Sequence, residues 1–355
     1  MSSDLFNWRI ISKNRNLLFG VAIIWIMLLH ATTWKAFDSW EGFRKYSQMR
    51  VLYQNIKLGG AGVEVFLFLS GIGMYFSFSR SSDLIPFYIK RLKRVLIPYL
   101  VICGSYWALR DLILEWKPVD FIQDLTWITF YTEGDRTYWY IHFILLMYLL
   151  YPVFHRLFQS RYRLCWLIVL CAAVYAGLGT LYVSNLELYK ELEVAYARIP
   201  TFLVGCYFGP LVKEGKPFGS GWVLFSLLTP WIGAFLQYWG KNGGIPWDIT
   251  MRVWYGMLGL SFCILLSILF TLTDFGKLGK FLNLLGVLSL ELYLFHITMK
   301  STFRFLFPEY KSWGMGAVTM SYFLYVMVGS LILSLLYHAA EQKISRLYQE
   351  RRKEA

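Results

Sequence analysis

Charge is scarce in this chain. Asp, Glu, Lys and Arg make up 16% of its 355 residues, against about 25% in an average soluble domain. Too few charges are present to clothe an ordinary water-facing surface, so a soluble globular domain is excluded. Cysteine is sparse as well. Cys103, Cys165, Cys171, Cys206 and Cys263 lie in or near apolar runs and form no CxxC pair, which argues against a disulfide framework or a thiolate zinc site. The five histidines are scattered, and no set of His, Cys and acid at metal-ligand spacing appears, so no metal is expected. There is no Walker A loop and no Rossmann G-x-G-x-x-G. Ser70 sits in S-G-x-G order, not in the G-x-S-x-G of a nucleophile elbow, and reads as a packing residue. Internal repeats, low-complexity tracts and the inverted halves of many secondary transporters are also missing.

What fills the chain instead is apolar and aromatic sequence: 57% hydrophobic residues, with 15 Trp, 25 Tyr and 28 Phe. This is the composition of an all-α, polytopic transmembrane bundle with aromatic belts at the two interfaces. About ten spans are expected, near residues 17–33, 59–79, 95–113, 138–157, 164–183, 198–213, 218–239, 251–273, 281–299 and 316–339. Arg9, Lys13 and Arg15 precede the first, and Lys90, Arg91, Lys93 and Arg94 precede the third. Arg156, Arg161 and Arg163 lie between the fourth and fifth, and Lys343, Arg346, Arg351, Arg352 and Lys353 follow the last. With ten spans these clusters share one side. Asp111, Glu115, Asp120, Asp124, Glu187, Glu191 and Glu193 fall on the other. The positive-inside rule then puts both termini in the cytoplasm and accounts for the net charge of +13 without nucleic acid. The first span reads as uncleaved, since no small-residue cleavage site follows it. Residues 1–340 are expected to form one membrane domain, and 341–355 a basic cytoplasmic tail lying at the membrane face.

A few ionisable residues stand inside the apolar runs, where each is costly and therefore a functional candidate. His30 ends the run RNLLFGVAIIWIMLLH that begins at Arg15; it marks either a site or the water interface. Glu64 lies about one turn inside the second span, where it needs a partner such as His30 or a water cavity. Arg91 and Arg94 share a helix face and present two guanidinium forks suited to phosphate oxygens, whether of a lipid or of a cytosolic ligand. Glu291 and His296 lie in one span about 140° apart around the helix, so they face different neighbours. Arg198 opens the sixth span and could equally anchor it at the interface.

In this order the blocks FGVAIIWIMLLH, GVEVFLFLSG, FYIKRLKRVLIPY, YWYIHFILLMYLLYPVF, ARIPTFLVGCYFG and LSLELYLFH resemble the acyltransferase-3 family, integral membrane O-acyltransferases of cell-surface polysaccharides. The resemblance implies a multi-pass protein of the bacterial inner membrane, with acetyl-CoA or another acyl-CoA as cytosolic donor. A glycan or lipid-linked sugar is implied as acceptor on the far side, with lipid as the other contact. It implies catalytic roles for His30, Glu64 and Glu291, donor contacts from Arg15, Arg91 and Arg94, and acceptor contacts from Arg198, Trp139, Tyr293 and His296. His30 would be the general base, by direct transfer or through an acyl-histidine. Two departures stand out. The family carries an arginine eleven residues before the first-helix histidine, where this chain has Phe19; Arg15 is one helical turn further away. Glu64 stands where the family often has Asp. Apart from the resemblance, a basic inner face with a buried acid and histidine also suits a non-enzymatic transporter or flippase for a lipid-linked glycan or anionic metabolite. A partner in polysaccharide export that binds no CoA is a third reading.

Overall fold

The computed structural model describes residues 5–32, 55–80, 83–242 and 247–354. Among them there is no strand; one isolated bridge joins Asn7 to Pro217. The helices are α1 (Arg9–Lys13), α2 (Arg15–Thr32), α3 (Ala61–Phe78), α4 (Leu84–Trp107), α5 (Pro118–Leu125), α6 (Ile128–Thr132), α7 (Trp139–Gln159), α8 (Arg163–Ser184), α9 (Leu186–Tyr196), α10 (Ile199–Glu214), α11 (Ser220–Asn242), α12 (Trp247–Leu272), α13 (Gly276–Val287), α14 (Ser289–Leu306), α15 (Met315–Ser321) and α16 (Gly329–Glu354). A 3-10 turn, Leu58–Gly60, leads into α3 and a π-helical stretch, Ala108–Leu114, prolongs α4; a second 3-10 segment, Pro308–Ser312, precedes α15 and a second π-helical stretch, Tyr322–Val328, joins α15 to α16.

Among the described residues, each of the ten segments expected to be apolar spans is mostly helical. Six helices are long and apolar enough to cross a bilayer, and a seventh is added if α13 and α14, bent by 72°, form one broken span. The difference from ten is partly one of length. The apolar part of α2, Arg15–Ala31, and the 16-residue α10 fall short of 18 residues. At 1.5 Å per residue each covers about 25 Å of a hydrocarbon layer roughly 30 Å thick. The residues expected as a separate basic tail continue α16 as far as Glu354.

Close helix crossings set the architecture. Gly71 of α3 meets the backbone of Phe202 and Cys206 in α10, and Gly205 of α10 meets the backbone of Phe68. A methyl group at either position would overlap main chain. Small residues serve membrane bundles in this way, by letting two backbones approach where no hydrophobic force drives helices together. Gly20 of α2 and Gly286 of α13 make a second such crossing, against Leu282 and Asn16. The N-terminal segment is pinned to the loop after α10 by Trp8 N–H to Lys216 O (3.0 Å) and Phe218 N–H to Phe6 O (2.9 Å). Trp8 packs among Phe208, Phe218 and Trp222. At the other extreme, α8 buries little beyond Leu178 and exposes Leu164, Ile168, Val169 and Val183. A helix apolar all round with an uncovered surface belongs against lipid.

Replacing Gly205 by Val forces α3 and α10 apart. Thermal unfolding of the detergent-purified protein followed by tryptophan fluorescence is expected to show a loss of stability in the range of overpacked cores, about 1–3 kcal/mol. An unchanged midpoint would mean that the crossing does not depend on the absent side chain.

Candidate active site

Along α2 the residues Arg15, Phe19, Ile23, Ile26 and His30 recur every three or four positions and so occupy one face. That face lines a cavity of about 360 Å³, within the range of small-molecule sites. Arg15 and His30 are fifteen residues apart, so about 22 Å of helix separates the two ends. Arg91 and Arg94 of α4 join Arg15 at one end. Lys57, Arg198, Arg252 and Tyr255 line the cavity with His30. Trp139, Tyr140, Tyr148, Tyr293 and Phe66 complete much of the wall between them.

At the arginine end the guanidiniums are held in part by the bundle. Arg91 donates to Ser77 Oγ and to the Gly73 carbonyl, both at 3.2 Å, and faces the Tyr148 ring at 5.8 Å. Arg94 is exposed. Arg15 lies over the ring of Phe19 at 4.6 Å, and Phe19 in turn stacks on Phe66 at 4.8 Å. The Arg15 charge thus rests against an aromatic face supplied by the residue one helical turn on, the position where the family resemblance expects an arginine.

At the histidine end His30 Nδ1 is 3.0 Å from His296 Nε2, with the two rings within 8° of parallel. His296 is 1% exposed. Tyr322 donates to the Met27 carbonyl at 2.7 Å and comes within 3.3 Å of His296 Nε2. Lys300 and Arg304 follow His296 at i+4 and i+8 on α14, and their charges act on His30. Glu64, expected as a possible partner of His30, instead forms an ion pair with Arg198 (Nε–Oε1, 3.2 Å), both almost fully buried. The Arg198 guanidinium also covers the Trp139 ring at 4.8 Å. The reason is the direction each helix faces: Glu64 abuts Gly259 of α12, whereas the end of α2 abuts α14. Beside this pair Arg252 grips both oxygens of Glu193, at 3.1 and 3.2 Å.

Of the residues picked from sequence, Arg15, His30, Arg91, Arg94, Trp139, Arg198 and Tyr293 line the cavity. Glu64 and His296 stand behind it, each touching a lining residue. Glu291 is not among the lining residues; it faces His338 and Glu341. Ser70, read as packing, does line the cavity. Sequence reading passed over Lys57, Arg252, Lys300 and Tyr322. The first three carried the same signal as His30, an ionisable group in or beside an apolar helix. Tyr322 carried none, because one tyrosine among 25 is not distinctive.

The Glu64–Arg198 pair gives a direct test. Removing one partner strands a buried charge, so Arg198→Ala should lower stability by about 3–5 kcal/mol. The double variant Glu64→Gln plus Arg198→Met should lose clearly less than the sum of the two single changes in detergent unfolding. Additive losses would show that the two side chains do not interact.

The family model of an acyltransferase domain, acyltransferase-3, matches residues 16–339. No curated protein and no solved structure matches the chain. The matched span begins one residue after Arg15 and includes every helix that lines the cavity. With nearly its whole length matched, this multi-pass, all-helical chain belongs to the acyltransferase-3 family.

Proposed function

We propose that the protein is a membrane O-acyltransferase that moves an acyl group, acetyl in the simplest case, from cytosolic acyl-CoA to a hydroxyl of an extracytoplasmic or lipid-linked glycan. One observation carries this reading: a single cavity connects a cluster of three arginines to a histidine held by a second histidine. Acyl-CoA is long and carries its phosphates at the end opposite its thioester. Guanidinium forks at Arg15, Arg91 and Arg94 suit the phosphates, and the apolar and tyrosine-rich wall suits the extended pantetheine arm. The thioester then lies toward His30. In a bacterial inner membrane with the basic loops and both termini inside, the arginine end opens to the cytosol and His30 lies toward the outer face. Residues 1–340 would be the catalytic membrane domain.

The chemistry follows from the histidine pair. With its proton on Nδ1 donated to His296 Nε2, His30 keeps Nε2 as a lone pair. That nitrogen takes the proton of the acceptor hydroxyl as the oxygen attacks the thioester carbonyl. Collapse of the tetrahedral centre breaks the C–S bond, and the imidazolium returns the proton to the departing CoA sulfur. His296 is a positioning residue in this scheme; it selects the tautomer of His30, as the carboxylate does in a serine protease triad. Arg198, placed by Glu64 and Trp139, and Arg252, placed by Glu193, offer hydrogen-bond donors for the acceptor sugar, with Tyr293 in the wall. Glu64 thus acts through Arg198.

Purified protein given acetyl-CoA should release free CoA. His30→Ala should lower that rate by about 10²–10⁴-fold while CoA binding persists. Unchanged release would remove His30 as base, and no CoA affinity at all would favour a flippase or an assembly role. His296→Ala should lower kcat with little change in donor KM, and His296→Gln, which keeps an acceptor for Nδ1–H, should recover part of it.

The donor end has its own test. Arg15→Ala should weaken CoA binding by about 10–100-fold, the scale of a lost charge-assisted hydrogen bond. Adding Phe19→Arg to that variant should restore affinity if the two positions serve one phosphate. Failure to restore it would separate them. On cells, loss of an acyl mass from surface glycans when the protein is removed identifies the product.

A further inference from the structure

A second cluster of ligating side chains lies outside the cavity. Glu291, in the first turn of α14, meets His338 and Glu341 of α16, and one ligand atom from each lies within 4.8 Å of the others. His338 and Glu341 are three apart and share a face of α16. Glu291 comes from 47 residues earlier, so no local sequence motif joins the three; the expectation of no metal rested on local spacing alone.

The carboxylate of Glu291 is what sets the cluster apart from ordinary surface charge. Glu291 is only 9% exposed. Its Oε2 is buried with no hydrogen-bond partner among the described residues. A buried carboxylate oxygen without a donor is costly. The start of α14 offers partial positive charge, yet that leaves Oε2 unfilled. Arg94 acts on Glu291 only through its field and makes no ion pair with it among the described residues. A cation between the three side chains would give the Glu291 carboxylate the partner it lacks.

We propose that Glu291, His338 and Glu341 bind a divalent first-row transition-metal ion, with zinc as the best match. Two carboxylates and one imidazole form a mixed oxygen–nitrogen set that zinc accepts at about 2.0–2.2 Å per ligand. Reaching that radius requires the half-buried imidazole and the exposed Glu341 carboxylate to close on the buried Glu291 by side-chain rotation. The Gln342 amide lies 2.9 Å from His338 Nε2. It orients the ring when the metal takes Nδ1 and is displaced when the metal takes Nε2. Bound there, the ion clamps the last helix to the bend between α13 and α14. Ser289 and Leu290, the residues just before Glu291, line the cavity, so the clamp also holds that stretch of wall. The site goes beyond acyl transfer and stands whether or not that reading holds.

The full chain in detergent, stripped with EDTA, is incubated with zinc chloride, desalted, and its metal measured by mass spectrometry. Wild type should retain about one zinc per chain, and zinc should raise its unfolding temperature. Glu341→Gln and His338→Asn should each weaken zinc binding by at least about tenfold and abolish the zinc-dependent rise. Both positions lie on the accessible face of α16, so they keep the test open if Glu291→Gln fails to fold. Wild type retaining no zinc overturns the proposal. Equal zinc in wild type and both variants also overturns it, because the ion would then sit elsewhere.

Discussion

A charge inside an apolar bundle has to be answered by another charge or by water, and that constraint shapes this protein around its cavity. Glu64 with Arg198 and Glu193 with Arg252 are two matched pairs set side by side. Each holds a guanidinium at the cavity wall in a fixed pose, because the carboxylate behind it cannot leave without stranding a buried charge. The pairs therefore do structural work and at the same time present donors to whatever enters. His30 is treated differently. It meets a second imidazole, His296, whose helix also carries Lys300 and Arg304.

The cavity itself results from helices that cross closely in some places and not in others. Gly71 with Gly205 and Gly20 with Gly286 draw α3 to α10 and α2 to α13. Aromatic residues wedge the space between them. Tyr140, Tyr148 and Tyr293 are all in the lining, and their rings keep the wall rigid while their hydroxyls keep it partly polar. Phe19 belongs to this wall and also serves as the surface on which Arg15 rests.

Much was readable in advance because the bilayer acts on sequence directly. Low charge and long apolar runs identify membrane helices, and an ionisable residue in such a run identifies itself. His30, Arg15, Arg91, Arg94 and Arg198 were found that way or through the ordered family blocks, and all five line the cavity. The number of crossings was less readable. Hydropathy marks where a segment is apolar, but α2 and α10 are apolar and short, and the bend between α13 and α14 breaks one apolar run into two directions.

Composition and local pattern thus sufficed for the helical class, the membrane setting and most of the basic residues facing the cavity, and the ordered blocks for the resemblance to the family. These depend on what each short stretch needs from its solvent. Partnership was another matter. Glu64 went to Arg198 and not to His30, His30 went to His296 from 266 residues away, and Glu291 went to His338 and Glu341. Which charge meets which depends on the rotation and crossing of whole helices. Those are set by side chains packing across the bundle, and no stretch of sequence contains both sides of that contact.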